Sequence, residues 1–408
     1  MKRLLLAVSL LLISANGMAG VKFGLGKAAA DRSSKLIDKA KKKDPDHAPD
    51  YNGAAAALPS CNSTGLPLTV LPLDLTSVTA IYPLGNLAPS GHTFPSDHHN
   101  IYMNRTVPGD LASPPLTVDI LSPGNITITD LASTEYLSAS PVFADYAIEF
   151  YPCRELRMVF GHVRTLSPAL AAAAASLGNC FTYTTGGAAV RRCDTSLTFH
   201  LAPGDQVGTS PGVDLGAYDL RKTPLPFISP QRQGMYKLYA ACPSDYFTPG
   251  MKAAMDAKTG RYDGLQWRTD LPVCGQIMYD IPNRAQGEWF KPGEPDIPED
   301  PHLALVHNPV TYALEAISAG NSTPDLLGVR YFVPAASGRV NRDFADVRSD
   351  GNVYCYDSFQ DPQGGEAGPF AIILDMPTDT TLRIEKYAPG VCGSPAWTMS
   401  GAAVTFQR

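Results

Sequence analysis

Glycine and proline interrupt this chain at short intervals, with 35 glycines and 36 prolines among 408 residues. Both residue types end regular elements, so this spacing favours short strands joined by turns and disfavours long helices. Tyr146 to Tyr151 and Leu156 to Phe160 predict one strand pair. Leu116 to Leu121 and Ile126 to Thr129 flank a Ser-Pro-Gly-Asn turn and predict a hairpin. The sequence therefore predicts a mostly β protein built from antiparallel strands, with an alanine-rich helix over Pro168 to Leu177.

The N-terminus has the features of an export signal. A positive start at Lys2-Arg3 precedes the apolar run Leu4 to Ile13, which is too short to span a bilayer. Small residues around Ala19 suit cleavage after that residue. We therefore expect residues 1–19 to be a signal peptide, the mature chain to be periplasmic or extracellular, and no stable membrane insertion.

Eight cysteines follow the signal, an even number that favours disulfides in an exported chain. Cys180 and Cys193 bracket a Gly-Gly turn and are candidates for a stapled hairpin. Cys355 and Cys392 flank the last predicted strands and are a second candidate pair. Because eight cysteines allow many connectivities, the sequence leaves the pairing open.

The charge balance argues against one class of partner. Charged residues make up 18% of the chain and the net charge is −6, so the basic surface that binds nucleic acid is not expected. Residues 20–60 form a basic and alanine-rich stretch without apolar periodicity, predicted to be a flexible tether. Two β domains are expected after it, residues 61–230 and residues 231–408, the second resembling a β-sandwich. The acidic, proline-rich stretch Lys291 to Pro301 is expected to be a long exposed loop of the second domain.

The densest cluster of candidate chemistry is Gly91 to His99, which contains three of the eight histidines and Asp97. Imidazole and carboxylate are the usual protein ligands of zinc, together with thiolate, and imidazole carries protons near neutral pH. In an extended segment His92 and His98 share a face, whereas His99 points the other way and is expected to be exposed. The candidate metal ligands are therefore His92, Asp97 and His98.

The order of motifs resembles that of lysostaphin-type zinc peptidases over roughly residues 80–222. The segment from His92 to Asp97 is similar to the family's first ligand motif, and Leu121 to Ile126 to its Pro-x-Gly hairpin. Val159 to Ser167, with His162, resembles its histidine-bearing strand, and Ala202 to Gly208 resembles its Gly-Asp turn. The resemblance implies a compact β core and a zinc ion that activates water for peptide hydrolysis, with His162 as the catalytic residue.

Two departures from that pattern leave alternatives open. Four residues separate His92 from Asp97 where the family has three, and Leu215 to Asp219 contains no histidine where the family has His-x-His. His162 is an alternative to His98 as a metal ligand, and Asp214 or Asp219 is a candidate replacement carboxylate. The leading hypothesis is an exported metallopeptidase-like protein that acts at the cell envelope. The alternative is a non-catalytic protein that binds an envelope glycan or peptide on the same fold without metal.

Overall fold

The structure is a computed structural model that describes residues 53–408 except 62–66, 90, 175–177, 186–187, 362–364 and 366–367. The predicted signal peptide, most of the predicted tether and the Gly-Gly turn between Cys180 and Cys193 lie outside the described residues. The prediction of a mostly β protein with antiparallel sheets is confirmed. In the part of the chain that the structure describes, the helices are too short or too polar to cross a membrane.

The first half contains eleven strands within the described residues. They are β1 Val78–Tyr82, β2 His98–Met103, β3 Val118–Leu121, β4 Ile126–Tyr136, β5 Phe143–Cys153, β6 Leu156–Val163, β7 Thr165–Leu166, β8 Gly178–Thr185, β9 Ala188–Leu201, β10 Gln206–Ser210 and β11 Gly212–Asp219. The described residues also contain three short α-helices, two in the first half, α1 Gly53–Ala56 and α2 Pro168–Ala173, and one in the second, α3 Pro249–Asp256. The predicted alanine-rich helix is α2, which begins at a proline after the Ser167 cap.

Eight of these strands form one antiparallel sheet in the order β1-β2-β11-β6-β5-β4-β9-β8. Its apolar face carries Ile148, Phe160 and Leu215, which are fully buried in the larger core of the first half. The opposite face carries the residues that alternate with these, such as Glu149, Val159 and Gly216. We call this second side the polar face, and it contains the candidate site.

The predicted hairpin around the Ser-Pro-Gly-Asn turn is wrong. β3 pairs with β10 in a separate three-stranded sheet with β7, whereas β4 pairs with β5 and β9. The segment at residues 67–70 occupies the turn, because the amides of Thr69 and Val70 both donate to the Pro123 carbonyl. A Cβ at Gly124 would lie 2.5 Å from the Pro67 carbonyl oxygen, so the turn glycine admits this crossing backbone and not a partner strand.

The second half contains two four-stranded antiparallel sheets, β12-β13-β14-β15 and β16-β17-β18-β19. Their strands are β12 Gly287–Trp289, β13 Leu303–His307, β14 Glu315–Ala319, β15 Gly328–Phe332, β16 Tyr354–Tyr356, β17 Ala371–Thr378, β18 Thr381–Tyr387 and β19 Val404–Gln407. Apolar side chains from both sheets, including Leu305, Phe332, Leu374 and Phe406, belong to one buried cluster. Two sheets that enclose one core are the layer arrangement of a β-sandwich.

All eight cysteines are in disulfides. The pairs that the spacing suggested, Cys180–Cys193 and Cys355–Cys392, are confirmed. The other two are Cys61–Cys153 and Cys242–Cys274. Four disulfides indicate an oxidising environment, as the expectation of export requires.

Residues of the second half contact the segment that carries the predicted metal ligands His92 and Asp97 and fix its position. The Ser318 hydroxyl donates to the Thr93 carbonyl at 2.7 Å, and the Phe94 amide donates to Glu299 at 3.0 Å. Phe94 itself is buried with Phe290 and Ala304 in a separate apolar cluster. The position of residues 91–97 therefore depends on contacts from residues about 200 positions later in the chain.

Candidate functional site

The candidate site is a group of three histidines and three aspartates on the polar face. We call it the histidine cluster, and it comprises His92, Asp97, His98, Asp145, His162 and Asp214. The β2–β11–β6 register creates it, because Asn100 and Gly161 both lie opposite Asp214 while His98 lies opposite Gly216. The two glycines leave room for neighbouring side chains, since a Cβ at Gly161 would lie 3.0 Å from the Asp214 Cβ and one at Gly216 would lie 3.1 Å from the Tyr218 hydroxyl.

His98 is held by a carboxylate on each side of its ring. Its Nδ1 lies 3.0 Å from Oδ1 of Asp97, and its Nε2 faces Oδ2 of Asp214 at 3.5 Å. The second contact has the distance of an ion pair but not hydrogen-bond geometry, so the buried Nε2 lacks a hydrogen-bond partner among the described residues. Burial opposes the charged ring, but Asp214 and Asp97 outweigh it and raise the pKa of His98 to about 9.

His162 reaches the cluster because of a β-bulge. Tyr146 pairs with Val163 and Ile148 with Phe160, so Gly161 and His162 together lie opposite Ala147. His162 has a left-handed backbone with φ of 59°, which costs a non-glycine residue about 1–2 kcal/mol. Regular alternation would send this side chain towards the core, whereas the bulge directs it to the polar face. Strain of this kind is most common at functional sites.

The ring of His162 repeats the arrangement at His98. Its Nδ1 lies 2.6 Å from Oδ2 of Asp145, and its Nε2 lies 3.4 Å from Oδ2 of Asp214. The hydrogen bond to Asp145 outweighs burial and, with the charge of Asp214, raises the pKa of His162 to about 9. One carboxylate oxygen of Asp214 therefore faces two imidazole nitrogens, while its other oxygen accepts from the Asn100 amide at 2.7 Å.

His92 and Asp97 have different electrostatic environments. The His92 ring lies edge-on to His98 with centroids 5.1 Å apart, and burial and the His98 charge lower its pKa to about 4. Burial alone would raise the pKa of Asp97, but the hydrogen bond from His98 and nearby positive charges lower it to about 2. At neutral pH the cluster thus contains a neutral His92 beside two imidazolium rings and an ionised Asp97.

The structure brings together all four residues that the sequence singled out, His92, Asp97, His98 and His162. Of the two alternative carboxylates, Asp214 joins them. Asp219 is instead paired with Arg221 and accepts from Tyr246, at the far end of β11. Sequence reasoning missed Asp145, because the only signal for it is the bulge that aligns β5 with β6.

The prediction that His99 is exposed is wrong. His99 is 1% exposed, with Nε2 at 3.1 Å from the sulfur of Cys274. It does point away from His98, as a strand requires, but both faces of β2 are covered. His99, Cys242 and Cys274 are the one group of three described histidine, cysteine or acidic residues whose ligand atoms all lie within 4.8 Å of one another. Because the two sulfurs are joined in a disulfide, they are not thiolates that bind zinc.

A cavity of about 230 Å³ adjoins the histidine cluster and shares Asp97 with it. Its lining includes Arg157, Tyr236, Lys237 and Glu299. Sequence reasoning placed Glu299 in a long exposed loop, whereas the structure directs its carboxyl inward. Burial raises the pKa of Glu299 to about 7 despite the attraction of Lys237.

Comparison with known proteins does not assign the chain to a family. No protein-family model matches the chain, and no curated protein matches it at a significant level.

Proposed function

We propose that the protein is a metal-dependent hydrolase of the cell envelope that acts on peptide bonds and uses the histidine cluster as its zinc site. The observation that carries the proposal is the paired arrangement of His98 and His162. Each ring has Nδ1 on a carboxylate, Asp97 or Asp145, and presents Nε2 to one oxygen of Asp214. Histidine ligands of metals are typically oriented by a carboxylate in this way.

The distances support His98, His162 and Asp214 as ligands. Two atoms bound to one tetrahedral zinc ion at about 2.05 Å lie roughly 3.3 Å apart. The two Nε2 atoms lie 3.5 Å and 3.4 Å from the same Asp214 oxygen. The three ligand atoms do not all lie within 4.8 Å of one another, so closing the set requires movement of the His162 ring, which is 53% exposed.

These roles differ in part from the sequence hypothesis. In the proposed set Asp97 orients His98 and is not itself a ligand, and His162 is a ligand and not the proton carrier. His92 stays neutral beside His98 and is placed to accept a proton or to complete the ligand set. A bound zinc ion would lower the pKa of its water and so provide the nucleophile for hydrolysis.

The alternative is a non-catalytic protein that binds an envelope peptide or glycan without metal. It is favoured by the high pKa values of His98 and His162, because two protonated rings bridged by Asp214 form a stable ionic network. In this case the polar face would bind its ligand through the charges of the cluster.

The first test is the zinc content of the purified, oxidised protein and of His98→Ala and His162→Ala variants, measured by elemental mass spectrometry. We expect about one zinc per chain in the wild type and its loss in both variants. His200→Ala is the matched control, since His200 bonds Thr127 on β4, outside the cluster. A wild type that takes up no zinc after incubation with it would refute the metal site and leave the binding protein as the remaining proposal.

A second comparison separates ligands from the residues that orient them. Asp145→Asn removes the charge behind His162 and keeps the side-chain shape. Loss of an orienting carboxylate typically weakens metal binding about 10- to 100-fold. Zinc affinity unchanged by Asp145→Asn would contradict the assignment of His162 as a ligand.

A further inference from the structure

The cavity beside the histidine cluster has the chemistry of a recognition pocket. Its lining combines aromatic rings with paired charges, and the residues used below are Asp97, Arg157, Tyr218, Tyr236, Lys237 and Glu299. A cavity of about 230 Å³ has room for one amino-acid residue of a ligand. Because Asp97 also contacts His98, a molecule in this cavity would lie directly beside the cluster.

Arg157 is the residue of the cavity lining that has a buried hydrogen-bond donor without an acceptor in the described part of the chain. Its guanidinium lies 4.0 Å from the ring centre of Tyr236 and 4.8 Å from that of Tyr218, and one of its terminal nitrogens is paired with Glu149. Its Nε–H is buried and donates to no acceptor among the described residues. A buried donor without an acceptor is costly, so a ligand that supplies an acceptor gains the energy of the missing bond.

The other charges around the cavity form ion pairs with one another. Lys237 is buried, and its ammonium contacts Glu288 at 2.9 Å. Glu299 lies near Lys237, Glu288 and Asp97 and accepts a hydrogen bond from the Phe94 amide. Burial raises the pKa of Glu299 to about 7, so a large share of this carboxyl is protonated near neutral pH. Each cation of the lining has a carboxylate partner: Glu149 for Arg157, Asp296 for Arg232 and Glu288 for Lys237. The unused Nε–H of Arg157 belongs to a charged guanidinium, and such a donor bonds a carboxylate more strongly than a neutral carbonyl.

We propose that this cavity binds the terminal carboxylate of a peptide, with the Arg157 guanidinium as the group that recognises it. The inference rests on the proposed function and deepens it by naming the substrate class. The carboxyl-terminal residue of the peptide would lie in the cavity beside the two tyrosines, and its preceding peptide bond would face the histidine cluster. The protein would then act near free carboxyl ends of peptides and not in the middle of long chains.

The test is calorimetric titration of the purified protein with N-acetylglycine and with its amide, N-acetylglycinamide, at pH 6. We expect the acid to bind at least tenfold more tightly than the amide, the effect of one charge-assisted hydrogen bond. Arg157→Lys keeps the charge but lacks the Nε donor, and it should abolish the preference. Arg191→Lys, an exposed arginine on β9 paired with Glu135, is the matched control.

Equal affinity for acid and amide, binding of neither, or a preference that survives Arg157→Lys would each overturn the inference. If Arg157→Lys does not fold, Tyr236→Ala replaces it, since this half-buried ring forms one side of the guanidinium stack. Titrations are repeated on His162→Ala with and without zinc. A protein that binds zinc but shows no acid preference refutes only the pocket, and one that prefers the acid but binds no zinc refutes only the metal site.

Discussion

Asp214→Asn provides a sharp test of the geometry of the histidine cluster. Asp214 is the strongest of the influences that raise the pKa of His98, whereas the Asp145 hydrogen bond is the strongest for His162. Both values lie at about 9, against 6.5 for an unperturbed imidazole. Removal of the Asp214 charge should therefore lower the pKa of His98 by roughly 1–2 and that of His162 by less than 1.

The measurement is a pH titration of the metal-free protein by two-dimensional NMR of 13C-labelled histidine rings from pH 5 to 10. His302, whose pKa burial lowers to about 4, lies outside the cluster and should not respond to the substitution. No fall for either ring would refute the reasoning that Asp214 lies between them. An equal fall, or a larger fall for His162, would refute the reasoning that His98 depends more on Asp214 than His162 does.

The same pKa shift has a consequence for stability. Because the pKa of His98 is raised in the folded state, its contribution is fully present below pH 6.5 and is lost as the pH rises through about 9. A rise of roughly 2.5 corresponds to about 3 kcal/mol as an upper bound, at about 1.4 kcal/mol per pH unit. His162 adds less, because its side chain is 53% exposed and its charge is screened. Urea unfolding at pH 6 and pH 9.5 should show the wild type losing more stability with rising pH than Asp214→Asn.

Two further predictions concern the frame around the cluster. A Cβ at Gly161 would lie 3.0 Å from the Cβ of Asp214 and 3.1 Å from its Oδ2. Gly161→Ala should therefore displace this carboxylate and lower the pKa values of both His98 and His162, measured by the same titration. Unchanged pKa values would show that the absence of a side chain at Gly161 does not fix the position of Asp214. Replacement of both Cys242 and Cys274 by serine opens a link across 32 residues, which chain entropy equates with about 4 kcal/mol. Urea unfolding should show this loss of stability, and a loss below about 1 kcal/mol would mean that the surrounding packing alone holds the segment.

Local signals in the sequence predicted the elements of this fold better than their pairing. The strands around Ile148 and Met158 form as the residue patterns predict, and they pair with each other because a short turn joins them. The hairpin expected around Pro123-Gly124 fails because a distant segment, residues 67–70, occupies its turn. No local pattern encodes that crossing, since it depends on tertiary packing that outweighs turn chemistry.

The candidate site shows the same contrast between residues that local sequence patterns reveal and residues that only tertiary packing brings into place. Histidine is rare in this chain, so the concentration near His98 was visible as a sequence motif, and Asp214 was visible as a nearby carboxylate on a predicted site segment. Asp145 was invisible, because a single extra residue in β6 aligns it with His162. Glu299 was misread, because a proline-rich acidic segment looks like a solvated loop until packing directs one carboxyl inward.

The contacts by which residues of the second half fix residues 91–97 have a consequence for biosynthesis. Domains and half-domains generally form as the chain emerges, N-terminal portion first. The eight-stranded sheet can therefore pair before Glu299 and Ser318 exist to fasten the Phe94 segment. Until those residues arrive, His92 and Asp97 lack the contacts that hold their segment in place. The histidine cluster would be completed only after more than three quarters of the chain has been made, so the nascent protein would lack the assembled cluster until then.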